Sequence, residues 1–242
     1  WTYRDDSGTV LLRVSGAYAR GTTRPLLAGQ RQTLRATGST REGRTLRWSF
    51  PSPPGFALTA ELTLPDGEGD PRISHRLVAT SPGWYSVAFT GAPGQDAARV
   101  MTVPQECAGR SLRQFNHLVP EPFLRLPRVH LATAEGNSAL VVDAAEMPFR
   151  IPTRANARFG LMLANEGGRC QPVAFAPILG GAESRLAPGD VRTFSVHYVV
   201  RPGDWKDTYR DIAQRHYGFR DQRDHSGSGS LNQALEATLD FL

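Results

Sequence analysis

The stretch FALTAELTL, Phe56–Leu64, decides how the rest is read. Phe56, Leu58, Ala60, Leu62 and Leu64 fall at every second position, the period of a strand with one buried face. Turn chemistry flanks it: SPPG, Ser52–Gly55, comes before, and PDGEGDP, Pro65–Pro71, comes after. Working outward, short strand-like runs recur at Val10–Val14, Gln32–Ala36, Thr45–Phe50, Ser74–Thr80, Trp84–Thr90 and Ala98–Val103. Short strands at this spacing predict an antiparallel β-sandwich. Trp48 and Trp84, inside strand patterns, are expected in its core.

Within the Trp84 run, SPGWYSVAFTG (Ser81–Gly91) places Tyr85 after Pro82-Gly83 and then alternates Val87 and Phe89 with Ser86 and Ala88. This resembles the immunoglobulin-like strand that carries a tyrosine corner, in which the phenol ties the strand entry to upstream backbone. The resemblance makes Tyr85 structural. Val87 stands where an antibody domain has its cysteine, so antibody-type pairing is excluded. After Pro104 comes a less regular stretch, Gln105–Pro127, followed by runs at Arg128–Thr133, Ser138–Asp143, Arg158–Asn165, Pro172–Ile178 and Val191–Arg201. These read either as a second β unit or as the other half of one large sandwich.

At Gly203 the period changes. Asp204 is placed to cap a helix, and Asp207 falls in its first turn, facing the positive end of the dipole. Trp205, Tyr209, Ile212 and His216 follow at helical spacing, and Gly218 has the form of a C-terminal glycine cap. A polar linker, Arg220–Ser230, leads to Ser230-Leu231-Asn232-Gln233, an S-x-x-Q capping box. Leu231, Ala234, Leu235, Thr238, Leu239 and Leu242 then form an apolar helical stripe. This second helix reads as a latch on the β part or, preferred here, as the first helix of a following domain.

Composition narrows the function. The net charge of +5 is spread along all 242 residues, and every basic residue except Lys206 is arginine; this argues against a nucleic-acid face. No apolar run approaches the roughly 20 residues that span a bilayer. Cys107 and Cys170 match no zinc or redox spacing and are read as free thiols, with pairing left open. The histidines include no close pair with metal-ligand spacing, no Walker or zinc-protease motif occurs, and no cofactor or metal is expected. Asp207 and Asp211 lie one turn apart, as many solvated pairs do, so no catalytic residue is assigned.

The order of strands ending in YVVRPGDW, a helix ending HYGFRD, and then SLNQALEATLDF resembles the front part of multidomain polysaccharide-active enzymes of the six-hairpin glycosidase-like type. There, β-sandwich domains precede a linker helix and an α/α toroid. The resemblance implies three parts: 1–104, an immunoglobulin-like sandwich; 105–202, a second sandwich unit; and 203–242, a helical linker with the start of the toroid. It implies a secreted or periplasmic glycoside hydrolase, or a polysaccharide lyase of the same build, with catalytic groups beyond Leu242. The partners would be a polysaccharide or oligosaccharide and the chain's own C-terminal catalytic domain. A stand-alone carbohydrate- or protein-binding module is the rival. The candidate substrate-binding residues are Tyr217, Phe219, Arg220, Asp221 and Arg223, a loop mixing aromatic and charged groups, together with Asn232.

Overall fold

In the computed structural model, the described residues are 9–13, 31–90, 94–102, 105–107, 110–112, 118–147, 150–153, 156–179, 181–220, 230 and 232–233. They are mainly β, with antiparallel sheets and one long helix. The first strands are β1 (Thr9–Arg13), β2 (Arg31–Arg35), β3 (Gly38–Glu42), β4 (Thr45–Ser49), β5 (Phe56–Thr63) and β6 (Arg72–Ala79). Next come β7 (Gly83–Trp84), β8 (Val87–Thr90), β9 (Gln95–Asp96), β10 (Met101–Thr102), β11 (Gln105–Cys107), β12 (Arg110–Leu112) and β13 (Val119–Pro120). The last are β14 (Arg128–Ala132), β15 (Asn137–Val142), β16 (Gly160–Glu166), β17 (Arg169–Phe175), β18 (Arg185–Leu186) and β19 (Val191–Arg201), followed by helix α1 (Trp205–Arg215).

One sheet runs β13-β16-β17-β8-β1-β2, with β9 also pairing β17. A second large sheet runs β10-β14-β15-β19-β6-β5-β4-β3, and β11-β12 and β18-β7 form separate two-stranded ladders. Both sheets therefore take strands from either side of residue 104. A single apolar core joins them, drawing Trp48, Phe56, Leu77, Leu140 and Phe194 from one sheet and Val87, Leu161 and Ala174 from the other. The alternation expected from FALTAELTL holds over its first part: Phe56, Leu58 and Ala60 are buried, while Thr59 and Glu61 lie on the outer face; Leu62 is half-buried and Leu64, past the end of β5, is exposed.

Several local expectations meet corrections. The Ala98–Val103 run gives only the two-residue β10, because the Asp96 carboxylate accepts from the Ala98 N–H at 3.0 Å and holds Ala97–Arg99 in a 3-10 turn. The Trp84 run splits into β7 and β8, and Trp84 lies at the surface rather than in the core, on the short β7–β18 ladder. Strand β3, with every residue exposed, follows no apolar period. Tyr85 forms the expected corner: its hydroxyl lies 2.8 Å from the Gly55 carbonyl oxygen and 2.9 Å from that of Ser81.

Helix α1 begins as the sequence predicts, with the Asp204 carboxylate accepting from Lys206 N–H at 3.0 Å. It ends near Gly218, whose φ of +66° is a left-handed conformation that glycine adopts without strain. The helix lies on the outer face of the eight-stranded sheet. Ile212, fully buried, packs there against Leu126, Ala139, Val141 and Val199. The capping box beyond it closes both ways: Ser230 N–H donates to Gln233 Oε1 at 2.7 Å, and Gln233 N–H donates to Ser230 Oγ at 3.3 Å. The helical stripe after Gln233 lies outside the described residues.

Candidate functional site: the polar seam between helix and sheet

Strand period places His197, Val199 and Arg201 of β19 on the outer face, beside Arg72 of β6. Helix period brings Asp211 and His216 of the α1 region down onto them. Arg201 makes a forked pair with Asp70, at 2.7 and 2.9 Å, and reaches Asp211 at 3.1 Å. His216 Nε2 lies 3.0 Å from the same Asp70 carboxylate. A few ångströms along the seam, His197 Nε2 lies 3.3 Å from Asp143, whose carboxylate also accepts from Arg72 at 2.6 Å. The two imidazoles lie with centroids 4.7 Å apart and their planes tilted by 51°. Two carboxylate–histidine pairs thus meet beneath α1.

The electrostatics follow from burial and pairing. Burial pushes the Asp70 carboxyl up, but hydrogen bonds from His216 and Arg201, with the charge of Arg201, outweigh it and leave Asp70 below its ordinary value. Asp143 behaves alike: burial raises it, while the Ala145 N–H and Arg72 bring it below the usual range. His197 is pushed down, first by burial and then by repulsion from His216, with Asp143 opposing. His130, also under this face, falls to about 3 through burial and the nearby Arg128 charge, with the Asn137 amide as its favourable polar neighbour. The Arg128 guanidinium sits 4.5 Å from the centroid of the Tyr209 ring, a cation–π contact across the helix–sheet seam. Each seam imidazole is committed to a carboxylate and screened by the helix. The arrangement fixes the helix on the sheet.

The sequence candidates divide. Tyr217 belongs to this seam: its hydroxyl lies 2.8 Å from Val142 O and 2.9 Å from Pro127 O, and burial pushes its pKa up. Phe219 is 57% exposed and Arg220 is exposed. Asn232 is exposed in the first turn after Ser230. Asp221 and Arg223 lie outside the described residues. Sequence reasoning does not single out Asp70, Arg72 or Arg201, because pairs such as Asp70–Arg201, 131 positions apart, carry no local signal. Asp207 pairs with Arg210 at 3.0 Å on the exposed helix face. Cys170 is a buried free thiol, its pKa raised by burial and by Asp96.

Two concavities accompany the seam. A groove of about 290 Å³ on the outer face is lined by Thr59, Glu61, Arg72, Arg76, Glu146 and Ser195, among others. Burial raises the Glu146 pKa, and Arg158 partly offsets this. A second cleft, of about 430 Å³, opens where β19 runs out beside the β14–β15 turn. Among the described residues, no group of three or more His, Cys, Asp or Glu side chains is placed to hold a metal ion. No helix among them is long and apolar enough to cross a membrane.

No family model matches the chain, and no curated protein matches it. Among solved structures it is similar to a TPR-domain containing protein from Parabacteroides distasonis, at 12% identity and a TM-score of 0.38. That match covers 81% of this chain and 37% of the other, so the chain spans well under half the length of that protein. A likeness at this level carries no functional argument.

Proposed function

We propose that this chain is the non-catalytic N-terminal part of a secreted or periplasmic carbohydrate-active enzyme, a glycoside hydrolase acting on a polysaccharide or oligosaccharide. The two antiparallel sheets with their common core are read as β-sandwich architecture. The observation that carries the reading is the handover from sheet to helix. Helix α1 is tied to the outer face by the Asp70–Arg201–His216 cluster, and a capping box closed both ways, the local arrangement that opens a helix, stands at Ser230–Gln233. This order of elements supports the resemblance to enzymes in which a linker helix leads from sandwich to toroid. In that role the seam holds the helix at a fixed angle to the sheets, and the chemistry belongs to residues beyond it.

The test is sugar release. The natural polypeptide that carries this chain is expected to cleave a glycan from a broad polysaccharide panel, and residues 1–242 alone are not. Release of 4,5-unsaturated ends would instead make the parent a lyase. Absence of any cleavage by the natural polypeptide would overturn the enzyme reading. A binding module is the second reading, favoured by the cleft beside the end of β19.

A further inference from the structure

The inner face of β19 changes character along its length. Phe194 and Val196 are buried in the common core, Tyr198 is half-buried, and Val200 is 56% exposed. All four lie on one side of the strand, so the exposure marks the place where the two sheets no longer cover each other. The resulting cleft of about 430 Å³ has an apolar floor of Leu131, Tyr198 and Val200. Ser138 stands directly opposite Val200 in the ladder and opposite Leu131 on its other side. Gln95 comes from the other sheet, where β9 pairs with β17. Thr133 holds the neighbouring turn, its N–H donating to Gly136 O at 2.8 Å.

We infer that this cleft is a binding site for a neutral, hydroxyl-rich ligand with one apolar face, a pyranose unit of an uncharged glycan. The assignment of ligand class rests on the carbohydrate reading above. Its size falls within the roughly 300–1,000 Å³ typical of small-molecule pockets. The floor supplies an aromatic ring and branched aliphatic carbon for the hydrophobic face of a sugar. The Gln95 amide and the Ser138 hydroxyl bring both donors and acceptors, as a ring of hydroxyls needs, while the Thr133 hydroxyl is spent within its turn, donating to Gly136 O and accepting from Glu135 N–H. The charges at the rim are already matched: Arg201 is held by Asp70 and Asp211, and Glu135 pairs with Arg99. No rim cation among these is left to neutralise a uronate or a phosphate, so the cleft selects against anionic ligands.

Calorimetric titration of the full 242-residue chain tests this, using hexasaccharides of β-glucan, α-glucan, xylan and mannan, with oligogalacturonate as the charged comparison. At least one neutral hexasaccharide is expected to bind at one site, and oligogalacturonate is not. Val200→Arg, a change at an exposed position that fills the cleft mouth, is expected to abolish that binding. Gln95→Ala is expected to weaken it about tenfold, the loss of one well-placed hydrogen bond. Lack of binding by every neutral hexasaccharide at millimolar concentration would overturn the inference. So would wild-type affinity in Val200→Arg, or tighter binding of oligogalacturonate. Each of these failures leaves sugar release by the parent polypeptide as a separate question. Conversely, binding here without sugar release by that polypeptide would keep the site and discard the enzyme.

Discussion

Tyr85 and Tyr217 each place one phenol hydroxyl between two backbone carbonyls, Gly55 and Ser81 for the first, Val142 and Pro127 for the second. The surroundings differ. Tyr85 packs edge-on to Phe56, with ring centroids 5.8 Å apart, and Gly55 holds φ +106° so that its carbonyl meets the phenol. A Cβ at Gly55 would lie 3.1 Å from the Tyr85 oxygen, so the corner needs glycine there twice over. Tyr217 instead joins a seam crowded with charge: Arg128, Asp143 and the two carboxylate–histidine pairs. The same two-carbonyl anchor therefore closes a neutral corner in one place and an ionic seam in the other. Conditions that act on charge should separate them.

Acid is expected to have the largest effect. His75 in the core and His130 under the seam both fall to about 3 through burial. Their unfolded value is near 6.5, so the unfolded chain binds the protons first, and stability falls as pH drops from about 6.5 toward 3. Each histidine should cost on the order of 3 kcal/mol by pH 4, and the depressed His197 adds to the loss. Urea midpoints measured between pH 7 and 4 check this, and His75→Phe should flatten the curve. In His75→Phe, which removes the titrating group of β6, amide exchange at pH 4 should rise in α1 before it rises in Phe56–Ala79. The reverse order would break the contrast between seam and corner.

Next comes Asp70→Ala, which removes the carboxylate that Arg201 and His216 share and leaves Arg201 with Asp211 alone. A loss of about 3–5 kcal/mol is expected in chemical denaturation, with the helix loosened first. Tyr217→Phe and Tyr85→Phe follow, each expected to cost about 1–2 kcal/mol by the same measurement. A Tyr217→Phe cost near zero would show that the charges alone hold the seam. The smallest effects belong to Phe219→Ala and Arg220→Ala, exposed beyond the helix. Each should stay within about 0.5 kcal/mol of the parent in thermal unfolding.

What the sequence discloses is what is written locally. The alternation of Phe56, Leu58 and Ala60 announces β5, and Asp204 announces the start of α1, because both depend on residues a few positions apart. The polar edge strand β3 leaves no apolar period to find. The seam is illegible for another reason: its pairs cross 131 residues from Asp70 to Arg201 and 146 from Asp70 to His216. YGFRDQR carries two readings at once, because aromatic, arginine and acid residues are also what a helix uses to fasten itself. Composition makes Tyr217 a candidate ligand contact, and the structure adds that its hydroxyl is hydrogen-bonded to backbone at Val142 and Pro127. Trp84 shows the limit of pattern from the other side: a strand period does not say whether another layer covers it.

Strand β3 has a consequence for the protein in a crowded solution. Among the described residues it ends the eight-stranded sheet and pairs only with β4, and it carries Gly38-Ser39-Thr40-Arg41-Glu42 with every residue exposed. Its outer row of N–H and C=O groups is a template for another strand, the kind of margin along which chains add to one another. A newcomer would have to strip water from Arg41 and Glu42 and would gain almost no apolar surface in return. Cheap polar residues at the rim thus act as a guard against self-association, and replacing them with valine or isoleucine would turn a quiet margin into a seed.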